Sequence, residues 1–209
     1  MLLYVRHGKT ALNLGGTKEA LRGWLPVPLT PEGRQQAKDA GQNLKGITPD
    51  TFSSSDLPRA METAHYVGKS IGRSVSPDTN IRDWNTGDLA GKKFVDVKDQ
   101  LMHLIDHPDE PAPHGESLNT YLNRFVPAMR SRVTDPGLHV VVGHARGASI
   151  LEGIASPVGG VGGDIDKAFL KARPNTQPGE ALQIPATWDI HKITSRLQSL
   201  DRLRSMAKG

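Results

Sequence analysis

Short apolar runs alternate with amphipathic stretches along this chain. Residues 2–5 and 138–142 are dense in branched apolar side chains and lead into turn-forming residues, which is typical of buried strands. Residues 51–53 predict another short strand, and residues 181–184 predict an edge strand that Pro185 ends. The alternation predicts an α/β fold, a three-layer α/β/α sandwich with a mostly parallel central sheet, in a single domain over residues 1–209.

Helical spacing of apolar residues separates the predicted strands. Thr30 followed by Pro31 predicts an N-cap and first turn of a helix that runs to about residue 45 and buries Ala37, Ala40 and Leu44. Asp56 is expected to cap the next helix. Residues 76–78 predict a break, and further helices are expected near residues 95–107, 116–133 and 145–155.

The C-terminal part, residues 165–209, follows a different pattern. A glycine-rich run at 159–163 predicts a flexible connector before it. From Ser195 onward a predicted helix has a basic side and an apolar side, the latter formed by Leu197, Leu200, Leu203 and Met206. Such a face packs on the chain's own core or on a second subunit, so a homodimer is one of two interpretations.

Composition narrows the class of protein. The 209 residues are 36% hydrophobic and 23% charged, which is ordinary for a globular domain, and they include no cysteine, so disulfides and thiolate chemistry are excluded. The sequence has no apolar run of about 18 residues and no leader pattern, so we expect no membrane association and a cytoplasmic location. The net charge of +4 suits an anionic substrate but is too small to indicate nucleic-acid binding.

Two histidines stand at the ends of predicted strands. His7 follows the first strand, and His144 follows the strand at residues 138–142. Ligands of open parallel sheets bind at the carboxyl ends of the strands, so both histidines are expected to face one crevice. His103 and His107 lie four residues apart, but the glutamate of a zinc-protease pattern is missing, and we expect neither a metal nor another cofactor.

The residues around these histidines resemble the histidine phosphatase superfamily, which includes the cofactor-dependent phosphoglycerate mutases. Six pieces occur in the family's order over roughly residues 1–155. They are Arg6-His7-Gly8-x-Thr10 with Asn13, Arg22-Gly23-Trp24, Ser54-Ser55-Asp56-Leu57-x-Arg59, Ile81-Arg82-Asp83, Gly115-Glu116-Ser117 and Gly143-His144.

The resemblance implies a role for each site residue. His7 would be the nucleophile that becomes phosphohistidine, and the other positions would bind the phosphoryl group. Arginine forks match phosphate oxygens, His144 would add a donor if protonated or suitably oriented, and Gly8 would let the backbone approach closely. The predicted phosphate-binding set is Arg6, Gly8, Thr10, Asn13, Arg22, Arg59 and His144, with Trp24 as a packing residue and Lys9 either at the mouth or in solvent.

The proton donor to the leaving oxygen has two candidates. Asp83 stands where the family usually has a glutamate, so its side chain is one methylene shorter. Glu116 is the rival carboxylate, or a substrate-binding residue, or simply a charge at the start of a helix. Motif position favours Asp83 as the general acid.

The resemblance leaves three functions open. The first is a metal-independent phosphomonoesterase acting on a small phosphorylated substrate, and the second is a mutase. The third is a phosphate-binding scaffold with weak catalysis. The resemblance implies that mutases carry a longer insertion with paired arginines after the acid-bearing stretch. Here about 23 residues separate Gly91 from Gly115, with lysines but no arginine among them, which favours hydrolysis.

Overall fold

The expected alternation of strands and helices is present in the computed structural model, which describes residues 1–155 and 174–184. The strands are β1 (Leu2–Arg6), β2 (Thr51–Ser54), β3 (Ser76–Pro77), β4 (His139–Gly143) and β5 (Ala181–Ile184). The helices are α1 (Pro31–Asn43), α2 (Pro58–Ile71), α3 (Phe94–Asp106), α4 (Leu118–Thr134) and α5 (Ala145–Ala155).

The five described strands form one sheet in the order β3-β2-β4-β1-β5. The pairs β3–β2, β2–β4 and β4–β1 are parallel, and β5 joins the edge beside β1 in the antiparallel direction. In the central pair Arg6 lies opposite Gly143, so β1 and β4 end at the same level. The register therefore brings the residues that follow these two strands, His7 and His144, to one edge of the sheet.

Alternate side chains of the sheet enter two separate cores, as period-2 strands require. Leu3 and Val5 pack on one face with side chains of α1 and α2, including Ala40 and Ala64. Tyr4 and its neighbours on the other face pack with side chains of α3, α4 and α5. The predicted fold is confirmed: a mostly parallel sheet lies between two helical layers in a single domain.

The first helix begins as the sequence predicts. The Thr30 hydroxyl accepts a hydrogen bond from the backbone N–H of Gly33, and Pro31 occupies the first turn. Ala37, Ala40 and Leu44 are buried, as their spacing predicts. The cap fixes where α1 starts, directly beside the loop that follows β1.

The predicted cap of α2 is wrong. Leu57, not Asp56, occupies the N-cap position, and it has no side-chain cap bond. The Asp56 carboxylate instead forms an ion pair with Arg82, whose Nε lies 2.6 Å from Asp56 Oδ1. A forked, charge-assisted contact with a guanidinium is stronger than one capping hydrogen bond, which explains the preference.

One stretch differs from the prediction. The predicted break at residues 76–78 contains β3, which pairs with β2 at Ser53 and Ser54.

The edge strand predicted at residues 181–184 is confirmed. The connector at 159–163 and the helix from Ser195 lie outside the described residues. Among the described residues no helix is long and apolar enough to span a membrane.

Candidate active site

The structure brings His7 and His144 together at the carboxyl ends of β1 and β4. Their ring centroids are 5.3 Å apart, and both side chains are buried. The backbone N–H of His7 donates to the carbonyl of Gly143 at 2.9 Å, which extends the strand pairing into the site. Two rigid strands thus fix the relative position of the two rings.

One hydrogen bond selects the reactive nitrogen of His7. Its Nδ1 lies 2.7 Å from the carbonyl oxygen of Gly8. A carbonyl oxygen only accepts, so Nδ1 carries the proton and Nε2 keeps its lone pair. Burial lowers the pKa of His7 well below its usual value, and the positive charge of Arg59 lowers it further. His7 is therefore neutral at pH 7, with Nε2 available as a nucleophile.

His144 is held on both sides by hydroxyl groups. Its Nε2 lies 2.8 Å from the Ser55 hydroxyl, and its backbone N–H donates to the Tyr4 hydroxyl at 2.7 Å. The Tyr4 hydroxyl in turn donates to the His144 carbonyl at 3.1 Å. A Cβ on Gly143 would lie 2.1 Å from the Tyr4 hydroxyl, so glycine is required there. Burial, followed by the charge of Arg59, also lowers the pKa of His144 well below its usual range.

Two buried arginines lie beside the histidines. Arg59 is fully buried and donates to the carbonyls of Leu25 at 3.1 Å and Gly23 at 2.8 Å. Arg6 donates to the carbonyl of Thr176 at 2.8 Å. Burial lowers the pKa of each guanidinium to about 10, so both are still charged at neutral pH.

Arg22 and Asn13 are two further polar side chains of this site, and both contact Glu19. Arg22 donates to Glu19 at 2.8 Å, and Glu19 lies 3.4 Å from the Asn13 amide nitrogen. The Asn13 oxygen accepts from the Thr10 hydroxyl at 2.9 Å and from the Thr10 backbone N–H at 3.0 Å. Thr10 therefore orients Asn13, and one of the two amide N–H groups of Asn13 donates to Glu19 Oε1.

Gly8 is required for a packing reason that the sequence did not show. A Cβ at this position would lie 2.2 Å from the carbonyl oxygen of Gly33, in the first turn of α1. The backbone N–H of Gly8 donates to the Thr63 hydroxyl at 3.1 Å. The glycine thus permits the loop after β1 to lie directly against α1.

The two candidate acids lie in different surroundings. Asp83 Oδ2 is 3.7 Å from Arg59 Nη2, which places this carboxyl beside one of the arginines predicted to bind phosphate. Glu116 Oε1 instead lies 2.5 Å from Arg124 Nη2 and accepts from the backbone N–H of Asn85 at 2.9 Å. Of the two carboxyls, Asp83 lies beside an arginine of the His7 site, whereas Glu116 contacts Arg124 and the backbone of Asn85.

Unpartnered buried nitrogens are concentrated at this site. Among the described residues, nine buried side-chain polar atoms have no hydrogen-bond partner, and five of them belong to this cluster. They are Nε of Arg6, Arg22 and Arg59, Nε2 of His7 and Nδ1 of His144. Buried polar groups in native proteins are nearly always paired, so the three unpartnered guanidinium N–H groups indicate a binding site for an acceptor-rich anion. The unprotonated Nε2 of His7 lies among them as a free lone pair.

A cavity of about 410 Å³ lies next to this cluster, between the loop after β1, α1 and the segment at 174–178. Arg6, Asn13 and Arg22 line it, whereas the two histidines do not. Lys9 lines it and pairs with Glu32 at 2.7 Å, so Lys9 lies at the mouth. A larger groove of about 1150 Å³ lies at the opposite edge of the sheet, beside His139, and contains none of the predicted site residues. Chemistry, rather than size, therefore identifies the candidate site.

The charged side chains around His7 are mainly cationic. Within residues 1–155 and 174–184, no group of three or more histidine, cysteine, aspartate or glutamate side chains is arranged to hold one. Asp83 faces a guanidinium, and cationic side chains surround His7. Positive charge at this site comes from arginine side chains.

Comparison with known proteins identifies the family. Residues 2–152 match the family model for the histidine phosphatase superfamily (branch 1). The chain belongs to this superfamily. Its members among the matches include both mutases and phosphatases.

Three superfamily relatives illustrate this range. A 2,3-bisphosphoglycerate-dependent phosphoglycerate mutase of Bradyrhizobium sp. (strain ORS 278) is 34% identical over 139 residues, covering 61% of this chain and 65% of the mutase. A glucosyl-3-phosphoglycerate phosphatase of Mycolicibacterium vanbaalenii is 35% identical over 137 residues, covering 64% and 60%. The mycobacterial glucosyl-3-phosphoglycerate phosphatase complexed with VO3 superposes with a TM-score of 0.61 at 29% identity, covering 76% and 83%.

The chain spans less than two thirds of the length of these two curated relatives. Their activities differ, although their identities to this chain are nearly equal. Sequence identity alone therefore does not choose between hydrolysis and phosphoryl transfer.

The structure adds positions that sequence reasoning missed. Tyr4 and Ser55 hold His144, and Arg124 holds the segment that carries Asp83. Trp24, predicted to be a packing residue, donates its indole N–H to the Asp83 carbonyl at 2.8 Å. Ser55 belongs to one of the motifs described above. Tyr4 has the pattern of an ordinary strand residue, and Arg124 that of an ordinary helix residue. No local signal marks those two.

Burial of two neutral histidines predicts a loss of stability in acid. An unfolded histidine takes up its proton near pH 6.5, whereas His7 and His144 do so only well below that pH when folded. The two buried neutral histidines therefore contribute fully to the free energy of unfolding above about pH 6.5. This contribution is lost as pH falls towards their lowered pKa values. The free energy of unfolding should decrease by up to about 1.4 kcal/mol per pH unit for each histidine.

Urea unfolding at pH 7.5, 6.5 and 5.5 measures this decrease. His144→Gln should reduce the pH dependence, and the exposed His103→Gln should not. An equal pH dependence in all three proteins would contradict the assignment.

Proposed function

We propose that this protein is a metal-independent phosphomonoesterase that hydrolyses a small phosphorylated substrate through a phosphohistidine on His7. The observation that carries the proposal is the cluster of unpartnered buried nitrogens around His7 Nε2. A phosphate monoester presents several acceptor oxygens to arginine donors and a phosphorus atom to the free imidazole nitrogen. The match to the histidine phosphatase superfamily supports the same chemistry.

In the first step, His7 Nε2 attacks phosphorus and the bond from phosphorus to the ester oxygen breaks. Arg6, Arg59 and the Asn13 amide hold the negative charge of the phosphoryl oxygens. The carboxyl of Asp83, next to Arg59, donates a proton to the departing oxygen, so that an alcohol leaves rather than an alkoxide. The Nδ1–H bond to Gly8 orients the ring throughout.

In the second step, water attacks phosphorus and the P–N bond breaks. Asp83, now ionised, accepts the proton that the attacking water loses. Inorganic phosphate leaves, and His7 and Asp83 return to their starting protonation states. His144, held by Ser55 and Tyr4, lies beside the phosphoryl group and stabilises it.

Hydrolysis is favoured over mutase activity by the segment between Gly91 and Gly115. A mutase has to hold a second anionic group while the phosphoryl group is returned to it. This segment forms α3 and the loop after it, and its lysines, Lys92, Lys93 and Lys98, are exposed. A mutase is the second candidate, because relatives of near-equal identity are mutases.

The first test is an assay without divalent metal. We expect hydrolysis of p-nitrophenyl phosphate to continue unchanged after dialysis against a chelator, because guanidinium groups provide the charge that a metal would otherwise supply. The measurement is nitrophenol release before and after chelation, with and without added magnesium or zinc. Activity that is lost on chelation and restored by a divalent ion would overturn this proposal.

A panel of phosphorylated metabolites distinguishes the two candidate functions. For a phosphatase, one free phosphate appears for each ester lost, and the labelled phosphoryl group of the phosphohistidine is transferred to water. For a mutase, label passes to added phosphoglycerate faster than to water. Transfer to phosphoglycerate as the main route would replace the proposed function with the second candidate.

A further inference from the structure

Arg124 on α4 grips the main chain that carries Asp83. We define the acid segment as residues 79–85. Arg124 Nη1 donates to the carbonyls of Arg82 at 2.8 Å and Asn80 at 3.1 Å, and Nη2 donates to the carbonyl of Asp83 at 2.8 Å. One guanidinium therefore binds several carbonyl oxygens of this segment.

Glu116 holds Arg124 in place from the other side. Its carboxylate lies 2.5 Å from Arg124 Nη2 and accepts from the Asn85 backbone N–H at 2.9 Å. The Glu116 carbonyl accepts from the Trp84 indole at 2.9 Å, and the Trp24 indole donates to the Asp83 carbonyl at 2.8 Å. The pair thus ties both ends of the acid segment to the start of α4.

We propose that Arg124 and Glu116 are positioning residues that hold the Asp83 carboxyl at the reacting ester oxygen. This inference rests on the proposed function. A general acid acts only within hydrogen-bond reach of the atom that it protonates. The Asp83 side chain is short, so its reach depends on where the main chain lies. A main-chain shift of about 1 Å at such a group costs on the order of 100-fold in rate.

The chain offers a matched control on the same helix. Arg132 Nη2 pairs with Asp78 Oδ2 at 2.8 Å, with side-chain exposures of 18% and 19%. The Arg124–Glu116 pair has exposures of 17% and 12%. Both arginines link α4 to the region that precedes Trp84, but only Arg124 contacts the main chain of Asp83. Loss of either pair should lower stability, and only one should alter proton donation.

The experiment compares two esters with different leaving groups. In Arg124→Ala we expect turnover of an alkyl phosphate to fall about 100-fold and that of p-nitrophenyl phosphate to fall by less than about threefold, because only the alkoxide needs the proton. Arg124→Lys should recover little, since one compact ammonium cannot reproduce the planar fork whose two Nη atoms reach the separate carbonyls of Arg82 and Asp83. Glu116→Gln should give a smaller loss of the same kind, and Arg132→Ala should show no difference between the esters.

A double mutant tests whether Arg124 acts through Asp83. In an Asp83→Asn background, Arg124→Ala should cause no further loss specific to the alkyl ester. Equal losses for both esters in Arg124→Ala, or the same selectivity in Arg132→Ala, would overturn the positioning role.

A structural readout separates this inference from the proposed function. If the wild-type protein hydrolyses neither ester, the proposed function fails, and crystal structures of the two arginine variants decide about positioning. We expect Asp83 Oδ2 to move away from Arg59 in Arg124→Ala but to stay at 3.7 Å in Arg132→Ala. An unmoved Asp83 in Arg124→Ala would overturn the inference.

Discussion

His7→Ala should lower the turnover of p-nitrophenyl phosphate by at least about a thousandfold, because it removes the covalent route and not one contact among several. The reason is structural: His7 Nε2 is a free imidazole nitrogen, and burial and the nearby arginines keep it neutral. A direct attack by water on the bound ester would account for the remaining activity. The measurement is turnover per folded molecule at saturating substrate.

His139→Ala is the matched control for this variant. His139 is also a buried histidine at a strand of the same sheet, but it lies at the opposite end and bonds to Thr51 at 2.8 Å. This variant should be less stable, with turnover close to that of the wild type.

After an acid-free quench of the wild-type protein with labelled substrate, the phosphoryl label on the protein should be stable in base and labile in acid. Near-native turnover in His7→Ala would show that another group is the nucleophile.

Asp83→Asn should slow the release of alkyl leaving groups at least about 100-fold more than the release of nitrophenolate. An amide of the same shape keeps contact with the surroundings but has no acidic proton to give. The measurement is a series of esters with leaving groups of increasing basicity, from which the dependence of rate on basicity is obtained. That dependence should be steeper in the variant.

Asp78→Asn provides the comparison, since this carboxylate is also paired with an arginine and precedes the acid segment. It should leave the dependence on leaving-group basicity unchanged. Equal losses across the series in Asp83→Asn would move the proton donor to Glu116 or to water. Glu116→Gln measured on the same series distinguishes those two outcomes.

The fold could be predicted from the sequence because its signals are local. A short run of branched apolar residues followed by turn-forming residues favours a strand, and Thr30-Pro31 starts a helix through contacts within four residues. The cap assigned to Asp56 failed for the opposite reason. Its competing partner, Arg82, lies 26 residues away in sequence, and no local pattern reports such a pair.

The candidate site shows the same division. His7 and His144 could be placed in one crevice because parallel strands end at one edge, and the motifs around them supplied the arginines. The contacts that give each residue its chemical state were not predictable. Gly8 determines which nitrogen of His7 is free, Tyr4 and Ser55 hold His144, and Arg124 binds the carbonyl of Asp83.

By itself the sequence determined the alternation of strands and helices and the family, and it named the candidate site residues, since these follow from residue types and short spacings. Only the tertiary structure decided that Glu116 pairs with Arg124 while Asp83 lies 3.7 Å from Arg59. The sequence offered both carboxylates as candidate proton donors, and the groups that folding places against each of them are different. Hydrogen bonds and ion pairs depend on distances between groups that are remote along the chain, and folding sets those distances.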